Sequence, residues 1–88
     1  MKPIKRTKRF DRHYKERIAQ NDLLNEDFVD AVDTFLQDPT SVHDHALKGV
    51  MTQNRAFSIN NDYRVIYEEK DDYYLFKDIG THVQIYHQ

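Results

Sequence analysis

Around residue 54 the spacing of apolar side chains changes from about one in 3.6 to about one in two, so a helical first half must be followed by sheet. In the first half, Phe10, Tyr14 and Ile18 recur at i, i+4 and i+8, the stripe of an amphipathic helix over about 8–20 with Thr7 as its N-cap. Gln20-Asn21-Asp22 interrupts it with good capping chemistry. A second helix is predicted over about 22–37, with Leu24, Phe28, Ala31, Val32, Phe35 and Leu36 inward and Glu26, Asp27, Asp30 and Asp33 mostly outward. Asp38-Pro39 ends it, because proline disfavours helical backbone in the residue before it. Two helices with so short a break should form an antiparallel hairpin.

Residues 2–6 read as a short first strand, and 38–53 as a loop anchored by Leu47, Val50 and Met51. Strands are predicted over 55–60, 63–69 and 73–79, with turns at Asn60-Asn61-Asp62 and Lys70-Asp71-Asp72. Gly80 should break the third, and Val83 to Tyr86 can add a last short strand. Strands 63–69 and 73–79 carry apolar residues at both parities, as central strands covered on two sides should. The expected fold is α+β: a small twisted, mainly antiparallel sheet of 4–5 strands with an N-terminal helix hairpin packed on one face.

With 88 residues, 39% of them hydrophobic, there is material for one core, hence one domain over 1–88. No cysteine is present, so disulfides and cysteine-based zinc sites are excluded. No apolar run approaches the ~18 residues of a membrane span, and Met1 to Phe10 is too charged for a signal peptide, so a cytoplasmic location without membrane contact is expected. The net charge of −2 hides an asymmetry: residues 1–17 hold eight basic side chains against Asp11 and Glu16. Residues 18–88 hold five basic against thirteen acidic. The basic segment, with Lys5, Arg6, Lys8, Arg9 and Arg12, could touch phosphate or simply solvate the outer face of a helix.

Imidazoles titrate near neutral pH and can act as acid or base. His43 and His45 fall in the long loop, His82 just after Gly80-Thr81, and His87 next to the C-terminus. His43-x-His45 lacks the paired spacings of zinc motifs, so no metal or other cofactor is assigned. Arg64 lies inside an apolar strand, where its charge needs either an ion-pair partner or a cleft in which to stabilise a phosphate. Tyr86 is placed to stack on a base or hydrogen-bond a phosphate.

Three runs carry a resemblance: His45-Ala46-Leu47-Lys48-Gly49; Phe57-Ser58-Ile59, two asparagines, then Asp62-Tyr63-Arg64-Val65-Ile66-Tyr67; and Asp78-Ile79-Gly80-Thr81-His82 followed by Tyr86. In this order and at these separations, over about residues 4–86, the chain resembles the RelE/YafQ family, the toxin halves of bacterial type II toxin–antitoxin pairs. The resemblance implies a ribosome-dependent mRNA endonuclease that needs no metal, acts on mRNA at the 70S ribosome, and is silenced by a cognate RelB/DinJ-like antitoxin. It implies a monomer alone and a hetero-oligomer with the antitoxin. By position, His45 and His82 become an acid/base pair of unassigned order, and Asp62 a carboxylate that accepts a proton or orients a histidine. Arg64 becomes the phosphate clamp, Tyr86 the nucleotide-positioning aromatic, and Lys48 a backbone contact. Ser58 stands where YafQ-like proteins carry another histidine. Two alternatives stay open: a ParE-like binder of a protein target such as gyrase, and a weakened toxin retained for antitoxin binding.

Overall fold

The computed structural model of the chain describes residues 2–38, 45–46 and 54–86. β1 (Ile4–Arg6) leads into α1 (Lys8–Arg17), capped by Thr7, whose Oγ1 accepts from the Phe10 N–H at 3.0 Å. The same hydroxyl donates to the Lys77 carbonyl at 3.0 Å, so one side chain starts the helix and ties it to the sheet. α1 ends at Arg17, before the predicted residue 20, and the buried Ile18 begins the turn. α2 (Asp22–Gln37) runs as predicted, with the Asn21 side chain accepting from the Leu24 N–H at 3.1 Å.

Among the described residues the strands are completed by β2 (His45–Ala46), β3 (Arg55–Ser58), β4 (Tyr63–Glu69) and β5 (Tyr74–Thr81), in the order β1-β5-β4-β3-β2. β1 runs parallel to β5, and the other pairs are antiparallel. The α+β fold with a mainly antiparallel sheet and a helix hairpin on one face is therefore as predicted.

Four local readings are corrected. A two-residue strand, β2, lies within the predicted loop and pairs with β3. β3 stops at Ser58 rather than Asn60, because the Asn60 side chain takes the N–H groups of Asp62 and Tyr63, each at 2.9 Å, and turns the chain. Gly80 does not end β5, which continues to Thr81. The segment from Val83 is not a strand but part of a helix, α3 (His82–Tyr86). Its cause is a reciprocal cap: the Gln84 N–H donates to Thr81 Oγ1 at 3.2 Å, and the Thr81 N–H donates to Gln84 Oε1 at 2.9 Å.

Side chains alternate across the sheet, so both faces carry cores. Phe57, Val65 and Tyr67 meet Phe10, Ile18, Leu24, Ala31 and Phe35 from the helix hairpin. Ala56 and Ile66 meet Ile85 from α3. The β4–β5 register shifts between Ile66, opposite Asp78, and Tyr67, opposite Phe76, leaving Lys77 as the extra residue of a bulge. That bulge lets Phe76 and Ile79, three apart in sequence, reach the same core.

Candidate active site

Of the predicted residues, Ser58, Asp62, Arg64 and His82 lie where β3 ends, β4 begins and β5 passes into α3. Arg64 stands in register with Ser58 on one side and Gly80 on the other, forming one row across three strands. Ser58 and Arg64 therefore share a face, as an odd number of intervening residues requires. The Arg64 guanidinium is half-buried, and Nη1 donates to the carbonyls of Asn60 (3.0 Å), Asn61 (3.4 Å) and Tyr63 (3.2 Å). Its partners are turn carbonyls rather than a helix aspartate, so it organises the turn that carries Asp62.

Asp62 is exposed, and its carbonyl accepts the His82 N–H at 3.1 Å. This bond joins the turn before β4 directly to the first residue of α3, bringing two side chains 20 positions apart to adjacent backbone. His82 is exposed at the start of α3, and Tyr86 forms the end of the same helix. The backbone of His45 pairs with Ala56, two residues before Ser58 on β3. The imidazole of His45, the ring of Tyr86 and the whole of Lys48 lie outside the described residues.

The basic residues are placed differently. Lys5 and Arg6 register with Leu75 and Phe76 at the start of β5, whereas the site forms at its end. The Lys5 ammonium lies 4.3 Å from the Tyr73 ring centre, and Arg6 Nε lies 3.2 Å from Asp11 Oδ1. Lys8 and Arg12 are exposed on α1. A groove of about 350 Å³ runs between α2 and the β1–β5 edge, lined by Ile4, Phe28, Val29, Val32 and Phe76 with Arg6 and Asp33 at its rim. Among the described site residues named from the sequence, only Arg6 touches it.

One cluster was not anticipated from the sequence. Asp78, buried on β5, receives His13 (Nδ1 to Oδ1, 2.5 Å), Arg9 (Nε to Oδ2, 3.4 Å) and Arg17 (Nη1 to Oδ1, 3.9 Å). Its available signal was the row Arg9, His13, Arg17 at i, i+4 and i+8, one residue behind the apolar stripe of α1. Among the described residues no helix is long and apolar enough to cross a membrane.

The family model described as a bacterial toxin of type II toxin–antitoxin system, YafQ, matches residues 2–87. Among solved structures, YafQ from E. coli superposes with a TM-score of 0.76 at 21% identity, covering 98% of this chain and 99% of that one. YafQ in the E. coli DinJ–YafQ complex gives 0.73 at 22% identity, covering 98% and 99%. A YoeB/ParE toxin from Agrobacterium tumefaciens gives 0.75 at 17% identity, covering 93% and 99%. No curated protein sequence matches the chain at a significant level.

Proposed function

This chain belongs to the YafQ family of bacterial type II toxin–antitoxin toxins, and on that basis we propose that it is a ribosome-dependent endoribonuclease that cuts mRNA during translation. The observation that carries the reading is the Asp62–His82 backbone bond beside the Ser58–Arg64–Gly80 row, which draws a carboxylate, a guanidinium and an imidazole to one end of the sheet.

The step is an internal transesterification. A base takes the proton of a ribose 2′-hydroxyl, whose oxygen attacks the neighbouring phosphorus. The bond from phosphorus to the 5′-oxygen breaks, and an acid protonates the leaving oxygen. The products are a 2′,3′-cyclic phosphate and a 5′-hydroxyl, with no redox change. His45 and His82 serve as the acid/base pair, with Asp62 as the carboxylate that accepts a proton or orients an imidazole. Arg64 offers its guanidinium to the charge that develops on the phosphate oxygens. Ser58, in register with Arg64, can donate a hydrogen bond but supplies neither base nor acid near neutral pH. Tyr86 positions the nucleotide, Lys48 contacts the RNA backbone, and Lys8 and Arg12 give a salt-sensitive attraction to RNA.

DinJ and YafQ form a complex in E. coli, and a cognate antitoxin of that kind is the partner proposed here, silencing the toxin as a hetero-oligomer. The test is primer extension on a reporter mRNA in a reconstituted translation system. Ribosome-dependent, codon-phased cuts are expected, falling at least about 100-fold in His82→Ala, the usual scale for losing a general acid or base. Uninterrupted translation with wild-type protein sinks the reading; DNA-damage signalling on expression would then favour a gyrase-directed toxin.

A further inference from the structure

Arg17, the last residue of α1, has no role in the reading above. Its Nη1 donates to the Ile79 carbonyl at 2.8 Å, and its side chain is only 18% exposed. A Cβ built on Gly80 would lie 2.5 Å from that Nη1, closer than real contacts allow. The guanidinium therefore rests on bare backbone, in a place that exists because residue 80 has no side chain. Gly80 is the residue paired with Arg64, and it lies two positions before His82. The Gln84 Oε1 that caps α3 is 2.8 Å from the same Cβ point. Arg17 thus reaches from the helix hairpin to the junction of β4, β5 and α3.

Two arguments separate this from a plain tie between helix and sheet. First, α1 is already fastened to β5 by Thr7 on the Lys77 carbonyl and by His13 on Asp78. Covering a further guanidinium, which is costly to desolvate, adds little to that attachment. Second, Arg17 does not hold its carboxylate alone: Asp78 is shared between the Arg9 and Arg17 guanidiniums. A shared cation seated over Gly80, the residue paired with Arg64, suits an anion. Arg17 also has five N–H donors in a planar fork that matches phosphate oxygens.

We propose that Arg17 is a second phosphate-binding cation of the site, with Asp78 as its positioning residue and the missing side chain of Gly80 as the space it occupies. The inference rests on the ribonuclease reading, because the phosphate it grips is that of the RNA strand held by Arg64 and His82.

Its test reads binding separately from cleavage. A short 2′-O-methyl oligoribonucleotide, which cannot be cut, is titrated into wild type, Arg17→Gln, Arg17→Lys and Gly80→Ala at two salt concentrations, with thermal melts to confirm folding. Arg17→Gln should bind about tenfold more weakly, as expected for one lost charge-assisted contact, with a log–log salt slope shallower by about 0.7. Arg17→Lys should fall between the two. Gly80→Ala should weaken binding as Arg17→Gln does while keeping the charge, because its methyl group displaces the ends of the Arg17 and Gln84 side chains rather than backbone. Amide exchange at Gln84 and Ile85 separates the loss of Arg17 from a loosened α3 cap. It also keeps the test decisive if Arg17→Gln does not fold. Wild-type affinity and salt slope in both Arg17→Gln and Gly80→Ala, or no affinity in wild type, overturns the inference. Failure of the ribonuclease reading shows instead as absent cleavage by wild type in the translation assay.

Discussion

At the scale of the residue, charge placement decides what each ionisable group does. Asp78 is buried with cationic partners on one helix, whereas Glu68 sits near the surface between two lysines. The hydrogen bond from Lys70 Nζ at 2.5 Å, with the charges of Lys70 and Lys77, holds the Glu68 carboxyl below its ordinary 4.5 against an opposing effect of partial desolvation. A carboxyl depressed by folding stabilises the native state above its unfolded value, and that contribution disappears as pH falls through the folded value. Urea denaturation should therefore show Glu68→Gln less stable than wild type at pH 6, with the gap closing by pH 3. A gap that is constant with pH would mean that Glu68 acts through packing. The neutral residues of the site are as informative: Ser58 shares a row with Arg64, so the position without an imidazole still stands in register with the guanidinium proposed to clamp the phosphate.

At the scale of the element, α3 is the part on which the site most depends. Five residues form no stable helix alone, so its existence rests on the Thr81–Gln84 cap and on Ile85 packing against Ala56 and Ile66. Thr81→Val keeps the shape of the side chain and removes the oxygen that accepts the Gln84 N–H, at a cost of about 1 kcal/mol. Amide hydrogen exchange should speed up about fivefold at Gln84 and Ile85 while Val65 and Ile66 in β4 keep their protection. Equal acceleration at both places would mean that α3 opens only with the whole domain. The bulge at Lys77 has a similar reach, since it delivers both Phe76 and Ile79 to the helix-side core.

At the scale of the whole molecule, a chain of 88 residues buries only about 60–65% of its unfolded surface, so few side chains hold the core. Phe35 is the hub: it stacks on Phe57 at 4.5 Å and meets the edges of Tyr67, Tyr74 and Phe76 at 4.7, 4.9 and 6.1 Å. Phe35→Ala should cost about 3–5 kcal/mol, a large share of the roughly 5–10 kcal/mol available to a domain this small. Its urea midpoint should drop by about 30% or more at 25 °C. A loss under about 1 kcal/mol would show that the helix hairpin contributes little to global stability. A partner that binds only the folded chain adds stability by mass action, so an antitoxin should raise the melting temperature of wild type and variant alike.

Much of the fold follows from local pattern. The bounds of α2 and β4 match their expected ranges because periodicity records which side of an element is buried, and neighbouring residues alone determine it. The same patterns put Arg64 in a strand and Asp62 in a turn, and the resemblance marked them with His82 as site residues. α3 was half-legible: Thr81-His82-Val83-Gln84 is a capping box, but the strand preference of Val83 and Ile85 pointed elsewhere until packing on the far face of the sheet decided it. The Asp78 cluster and the seat of Arg17 over Gly80 belong to tertiary structure alone. Their partners lie more than 60 residues apart in the chain, and no local preference encodes which of many distant charges closes on which. That choice is made when α1 lies against a bulged β5 and the exclusion of water leaves these groups only one another to bind.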